Sequence, residues 1–194
     1  MEAEFLASAA LPEQFPAETL PEIAFLGRSN VGKSSLLNAL TGRRELAFTS
    51  AKPGCTQVVN FYRVEDKIHF VDLPGYGFAK APVEVRSRWK KLIENYLEKR
   101  KTLELCFLLL DSRRGWMDQD RQLREWLEFH QRPFLVVATK FDKLKSQKEQ
   151  HHGTEGIRSE RLDHEPVLFS AVSGRGVREI WQAISKIRNS SPPQ

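Results

Sequence analysis

The eight residues GRSNVGKS, Gly27 to Ser34, constrain this chain more than any other stretch. They follow the apolar run EIAFLG, from Glu22, and lead into GKSSLLNALTG, whose spacing is helical and stops at Gly42. A G-x-x-x-x-G-K-S string set between a strand and a helix is a loop that wraps phosphates with its N–H groups, assisted by the helix N-terminus. Gly27, Arg28, Ser29, Asn30, Val31 and Gly32 are expected to form that cradle. Lys33 would reach the outer two phosphates, and the Ser34 hydroxyl would bind Mg²⁺. Alone, the loop says only nucleoside triphosphate.

The fold is read from the whole chain, which fits a single domain. At 194 residues it is long enough for a single core without disulfide or metal staples. Short apolar strands (EIAFLG, ELCFLLLD, PFLVVAT, PVLFSA) alternate with amphipathic helices, which predicts a mostly parallel sheet covered on both faces. QVVNFYRV and KIHFVD are joined by Glu65 and Asp66, so that pair is expected to be antiparallel. Residues 43–55 read as a loop, and Val85, Trp89, Leu92, Ile93, Tyr96 and Leu97 mark one face of a helix. SQKEQHHGTEGIRSERLD should bridge two strands as a helix, but Gly153 and Gly156 weigh against it. The expected organisation is an N-terminal extension over residues 1–20, a domain over 21–188 with six strands, or seven if the extension adds an edge strand, and a disordered tail over 189–194.

FLASAALP near the start is too short, and the preceding MEAE too acidic, for a signal peptide. No run approaches a membrane span, and Cys55 and Cys106 suit a reducing compartment, so a cytoplasmic location is expected.

The base is specified by TKFD, Thr139, Lys140, Phe141 and Asp142, directly after PFLVVA. A carboxylate at position 142 can accept both the ring N–H and the exocyclic amino group of guanine, a donor pair that adenine lacks at that edge. The stem of Lys140 would lie along the base plane, and Phe169, Ser170 and Ala171 end the last strand where a backbone N–H could meet the guanine O6. These positions all fall at carboxyl ends of predicted strands, where open α/β sheets bind ligands.

GRSNVGKSSLLNALTG, PGCTQVVNFY, DLPGYGFAK, DSRRG, TKFD and FSAVSGRG, in this order and spacing, resemble the EngB (YihA/YsxC) family of bacterial GTPases, related to Era and TrmE. The likeness runs from Pro21 to Ile187. It implies a Ras-like P-loop G domain that binds GTP or GDP with Mg²⁺, acts with the large ribosomal subunit precursor (rRNA and ribosomal proteins), and is needed for normal septation. It also implies a first switch loop of Gly54, Cys55, Thr56, Gln57 and Val58, with Thr56 as a second magnesium ligand. In the second switch, Asp72 would hold the metal through water, Leu73 and Pro74 carry the turn, and the Gly75 N–H would contact the γ-phosphate. Cys55 stands where the family usually has a basic residue, and Thr139 where related GTPases often have asparagine.

Tyr76 follows that glycine, and a phenol cannot position the attacking water. The resemblance offers Asn30 instead, since an asparagine there helps related GTPases bind K⁺ in place of an arginine finger. Lys33, Thr56, Gly75 and Asn30 are thus the expected catalytic set, with slow intrinsic turnover, on the order of 10⁻⁴ s⁻¹ in unassisted Ras-like GTPases.

The net charge of +5 leans toward a polyanionic partner. Eight Lys or Arg against three Glu between Lys80 and Lys101 form a candidate rRNA-facing surface, or simply a solvated helix face. A monomer is expected, with no membrane or DNA partner. His151 and His152 read as exposed rather than metal-binding, Cys55 as a loop residue rather than a reactive thiol, and Arg113 and Arg114 as loop structure rather than fingers. Trp89, Trp126 and Trp181 read as core, while Trp116 stays open to base stacking. A GTP-gated binding module and a division scaffold are the alternatives to a switch.

Overall fold

The computed structural model describes all residues except 44, 48–57, 77–82 and 191–194. Its strands are β1 (Ala3–Ala9), β2 (Glu22–Gly27), β3 (Val59–Val64), β4 (Ile68–Asp72), β5 (Leu103–Asp111), β6 (Phe134–Thr139) and β7 (Val167–Leu168). They form one sheet in the order β1-β3-β4-β2-β5-β6-β7. β3 runs antiparallel to both its neighbours, and all other pairings are parallel. The N-terminal extension supplies the seventh, edge strand, with Ala3 opposite Val64 and Ala9 opposite Val59.

Five helices cover the sheet: α1 (Lys33–Thr41), α2 (Val83–Lys99), α3 (Asp118–Phe129), α4 (Gln147–Arg158) and α5 (Val177–Ser190). Alternation along the central strands divides the core in two. Ile23 and Phe25 of β2, with Leu105, Phe107 and Leu109 of β5, pack with Leu36, Leu37 and Leu40 of α1 and Ile180 and Ile184 of α5. Ala24 and Leu26, with Cys106, Leu108 and Leu110, pack with Leu92, Tyr96 and Leu97 of α2, Leu127 of α3 and Ile157 of α4. Burial pushes the Cys106 thiol up to about 12, which keeps it an inert core residue.

The structure bears out the bridging helix, changes the expected bounds of the tail and of the last strand, and decides the open reading of Trp116. The 147–158 segment is helical despite its glycines, because Ser146 and Glu149 form a capping box. Gly153 is there for close approach: a Cβ would come within 2.8 Å of the Ser112 carbonyl oxygen and of Leu144 Cδ1. α5 runs on to Ser190, so the first two residues of the expected tail are helical. The last strand is shorter than PVLFSA, since the backbone turns at Phe169 and Ser170 toward the loops above the sheet. Trp116 is buried and donates its indole N–H to the Ile157 carbonyl oxygen at 2.8 Å, so it anchors α4 and is not available to a base.

The end of β2 remote from the phosphate loop carries a buried charge cluster. Arg100 grips Glu22 through Nε at 2.9 and 3.0 Å and through a terminal nitrogen at 2.6 Å, while Tyr96 donates its hydroxyl at 2.8 Å. A further Arg100 N–H reaches the Pro16 carbonyl oxygen at 2.7 Å, fastening the N-terminal extension to the end of α2. Arg100 is therefore not part of an outward cationic face. Arg88, Lys90, Lys91, Lys99 and Lys101 are exposed, with Lys90 3.7 Å from Glu94, whereas Lys80 and the Arg86 and Trp89 side chains lie outside what is described. His151 and His152 are exposed on α4. No helix among the described residues is long and apolar enough to cross a membrane.

Candidate functional site

The carboxyl ends of β2, β4, β6 and β7 bring the quoted motifs together. Between β2 and α1, residues 28–32 form a loop in which Asn30 (φ 60°) and Gly32 (φ 110°) adopt left-handed backbone. At Gly32 that conformation lets the chain turn directly into α1, placing Lys33 at the first helical position. Lys33 Nζ lies 3.5 Å from Asp72 Oδ1 at the end of β4, with both side chains mostly shielded.

Burial pushes the Asp72 carboxyl above the ordinary range, and the Lys33 ammonium opposes this. Asp72 Oδ1 is buried and accepts no hydrogen bond from the protein. A shielded carboxylate oxygen with no donor nearer than the Lys33 ammonium at 3.5 Å, beside the helix start that carries Ser34, fits a hard, oxygen-seeking divalent cation such as Mg²⁺.

The DLPG turn lies directly against the phosphate loop. A Cβ on Gly75 would meet Ser29 N and Cα at 3.0 Å, so only glycine allows this approach. The next residue completes the junction: Tyr76 N–H donates to the Gly27 carbonyl oxygen at 3.3 Å, and Ser29 N–H donates to the Tyr76 carbonyl oxygen at 3.0 Å. The Tyr76 ring turns away from Lys33 and donates its hydroxyl to Asp120 Oδ1 at 2.7 Å. Asp120 Oδ2 accepts the Met117 N–H at 2.9 Å and so caps α3.

On the other side of the loop, TKFD buttresses the phosphate cradle. The buried Thr139 hydroxyl lies 2.6 Å from the Val31 carbonyl oxygen and 3.0 Å from that of Leu110. Lys140 donates to the Asn30 carbonyl oxygen at 2.5 Å and pairs with Asp111 Oδ2 at 3.1 Å. Partial burial pushes the Asp111 carboxyl up, but Arg113 and Lys140 outweigh it and hold it at about 2. Asp142 Oδ1 accepts the Ser170 hydroxyl at 2.9 Å, and Ser170 Oγ in turn accepts the N–H groups of Val172 and Ser173 at 3.2 Å. Phe141 N–H donates to the Phe169 carbonyl oxygen, and the Arg175 guanidinium covers the Phe141 ring at 4.2 Å. The other Asp142 oxygen, Oδ2, faces the exposed Lys143 ammonium at 3.6 Å, and the carboxylate still keeps acceptor capacity for a planar pair of N–H donors.

Gly27 to Ser34, Asp72 to Gly75, Thr139 to Asp142, and Phe169 to Ala171 thus converge, and Val58 stands at the entry to β3. Gly54, Cys55, Thr56 and Gln57 lie outside the described residues. Arg113 is engaged by Asp111 through two side-chain N–H bonds at 2.9 and 2.6 Å, in keeping with loop structure. Three functional neighbours were missed: Asp111, Asp120 and Arg175. Asp120 was open to discovery, because an acid three residues into a helix is a capping signal. Asp111 pairs with Arg113 inside DSRRG, but its pairing with Lys140 and that of Arg175 with Phe141 join distant segments and leave no local trace.

A family model described as 50S ribosome-binding GTPase matches residues 22–140. A probable GTP-binding protein EngB from Solibacter usitatus is 60% identical over 185 residues, covering 95% of either chain. The chain belongs to the EngB family of GTP-binding proteins. The fold agrees: a crystal structure of a probable GTP-binding protein EngB matches at TM-score 0.68 and 27% identity, over 88% of this chain and all of that one (100%). Era in complex with MgGDPNP and nucleotides 1506–1542 of 16S ribosomal RNA matches at TM-score 0.68 and 26% identity, over 90% of this chain and 59% of that one. This EngB-family chain is a GTPase, binding guanine nucleotide and hydrolysing GTP.

Proposed function

We propose that this EngB-family GTPase is a slow, Mg²⁺-dependent switch that acts in assembly of the large ribosomal subunit and supports normal cell division. The observation that carries the switch reading is the junction of Gly75 and Tyr76 with Gly27 and Ser29, which puts the turn that senses a γ-phosphate against the loop that holds it. Residues 27–34 cradle the phosphates, and Asp142 with the Ser170–Ala171 turn reads guanine. Ser34 and Thr56, with Asp72 through water, would hold Mg²⁺, which would supply positive charge against the phosphate oxygens. Lys33 binds the outer phosphates beside it. Tyr76 is committed to Asp120 and does not orient water, so hydrolysis is slow without help, and Asn30 with K⁺ supplies part of that help. Loss of the γ-phosphate releases Gly75 and Thr56, changing affinity for a partner.

The ribosomal reading draws on the description of the matching family model and on the exposed cations Arg88, Lys90, Lys91, Lys99 and Lys101 on and just beyond α2, downstream of the second switch. A pull-down from cell extract with GTP-loaded, GDP-loaded and nucleotide-free protein tests it. Large-subunit precursors should be retained in one nucleotide state far more than in the others. Equal retention in all three states would remove the switch, and no ribosomal particle in any state would remove the ribosome from the account; state-dependent retention with no GTP turnover, even with ribosomes present, would favour a GTP-gated binding module.

A further inference from the structure

The phosphate loop has a second flank, toward the end of β5 and the start of α3. A cavity of about 340 Å³ lies there, lined by Arg28, Asn30, Leu109, Met117 and Lys140, with the exposed Arg113 and Arg114 completing its wall. Lys33, Ser34, Asp72 and Asp142 take no part in that wall, so the cavity is distinct from the nucleotide cleft. Its volume falls at the small end of the roughly 300–1,000 Å³ usual for ligand sites.

Arg28 brings to this wall a charge that the protein does not neutralise. Its Nε is buried and meets no hydrogen-bond acceptor, and a terminal N–H rests on the Met117 sulfur, a weak acceptor. The two acids in the wall are already engaged. Asp111 takes Arg113 and Lys140, while Asp120 takes the Tyr76 hydroxyl and the Met117 N–H. Among the described residues no carboxylate forms an ion pair with Arg28, and the side chain of Arg114 has no partner. A shielded guanidinium without a counter-charge is unfavourable, and an anion that supplies the charge removes the penalty.

The structure assigns this cavity to a doubly charged phosphate group, held by Arg28 and Arg114 outside the nucleotide cleft. The charges favour a dianion. Arg28, Arg113, Arg114 and Lys140 stand in the wall against Asp111 and Asp120, which leaves two positive charges to be matched. A phosphate monoester carries about −1.5 to −2 near pH 7, whereas a carboxylate or an RNA phosphodiester carries a single charge. Shape points the same way. A tetrahedral phosphate offers oxygens to two guanidinium forks at once, and a planar carboxylate is filled by one bidentate fork. The ligand class is therefore free phosphate or a small phosphorylated molecule, and the backbone phosphate of RNA is the competing source of the same chemistry.

The test titrates inorganic phosphate into the full chain saturated with Mg²⁺ and a non-hydrolysable GTP analogue, so that the phosphate positions of the nucleotide cleft are already filled. Calorimetry at constant ionic strength should show phosphate binding to wild type. Arg114→Gln should weaken it on the order of tenfold while affinity for the analogue moves less than about twofold, and Arg28→Gln should weaken it at least as much. No phosphate bound to wild type, or equal affinity in wild type and both variants, would overturn the assignment. So would binding lost in a variant carrying Lys90→Gln and Lys91→Gln and kept in Arg114→Gln, because the anion would then sit on α2. A single-stranded RNA oligomer without a terminal phosphate separates the two sources. It should bind wild type and Arg114→Gln alike, and an oligomer that needs Arg114 where inorganic phosphate does not would give the cavity to RNA and overturn the small-ligand assignment.

Discussion

The Thr139 hydroxyl stands 2.6 Å from the Val31 carbonyl oxygen, so the TKFD motif braces the GRSNVGKS loop. The same hydroxyl is 3.0 Å from the Leu110 carbonyl oxygen, joining β5, β6 and the phosphate loop at one buried point. Thr139→Val keeps the shape and deletes the hydroxyl. We expect a loss of about 1 to 3 kcal/mol in unfolding free energy and a roughly fivefold or greater fall in nucleotide affinity, read by urea titration and calorimetry. Unchanged affinity would show that the brace is dispensable.

Asp142 accepts the Ser170 hydroxyl through Oδ1 and faces the exposed Lys143 ammonium through Oδ2 at 3.6 Å, so the carboxylate is aimed but not consumed. Asp142→Asn preserves an acceptor for that hydroxyl while replacing the second acceptor oxygen with a donor group. Guanine nucleotide affinity should fall on the order of 100-fold, with the melting temperature of the unliganded protein nearly unchanged. Retained guanine preference over adenine would remove Asp142 from base recognition.

Stability should be vulnerable at the opposite end of the sheet. Burial pushes the Glu22 carboxyl up, but His69, Arg100 and Tyr96 around it outweigh this and hold it below the ordinary range. Arg100→Met leaves that carboxylate buried without its main partner and should cost about 3 to 5 kcal/mol, whereas the double variant Glu22→Leu with Arg100→Met should recover much of the loss. Urea denaturation of the three proteins decides this. An additive double variant would mean that the pair is not coupled.

Asp111 predicts a pH signature. Its folded carboxyl, at about 2, lies below the usual unfolded value, so the stabilisation it brings is fully present above about pH 4 to 5 and is lost as pH falls toward 2. Solvent reaches the exposed Arg113 side, which limits the effect to about 1 kcal/mol. Wild type should therefore exceed Asp111→Asn in unfolding free energy at pH 6, with the gap narrowing at pH 3. A constant gap would mean that its partners do not depend on its charge.

Asn30 leads to the last expectation. Its side chain is exposed at the lip of the loop while Lys140 holds its carbonyl oxygen at 2.5 Å, so the residue can present its amide oxygen to a cation from a fixed backbone. GTP turnover in KCl should exceed that in NaCl at least about tenfold, and Asn30→Ala should abolish the difference. Equal rates in the two salts would end the potassium idea.

Much of this was legible beforehand for a physical reason. The phosphate loop, DLPG and TKFD are contiguous in the chain, and each encodes its own local geometry. β2, β5 and β6 announce themselves by unbroken apolar runs because both their faces are covered. Interactions that depend on distant segments meeting were not legible. Arg100 looked like one more surface cation because Glu22 is 78 positions away, and Tyr76 looked merely unfit for catalysis because Asp120 is 44 positions away. Gly153 read as a helix breaker because nothing local says that Ser112 will lie against it.

Strand β2 has an asymmetry with mechanical meaning. Its first residue, Glu22, is clamped by Arg100 and Tyr96, while its last, Gly27, opens into the loop that closes on phosphate. One end is a fixed footing and the other a working tip. Any displacement that nucleotide imposes on this strand would accordingly be taken up at its free end, beside Ser29, Gly75 and Tyr76, and not at the clamped end.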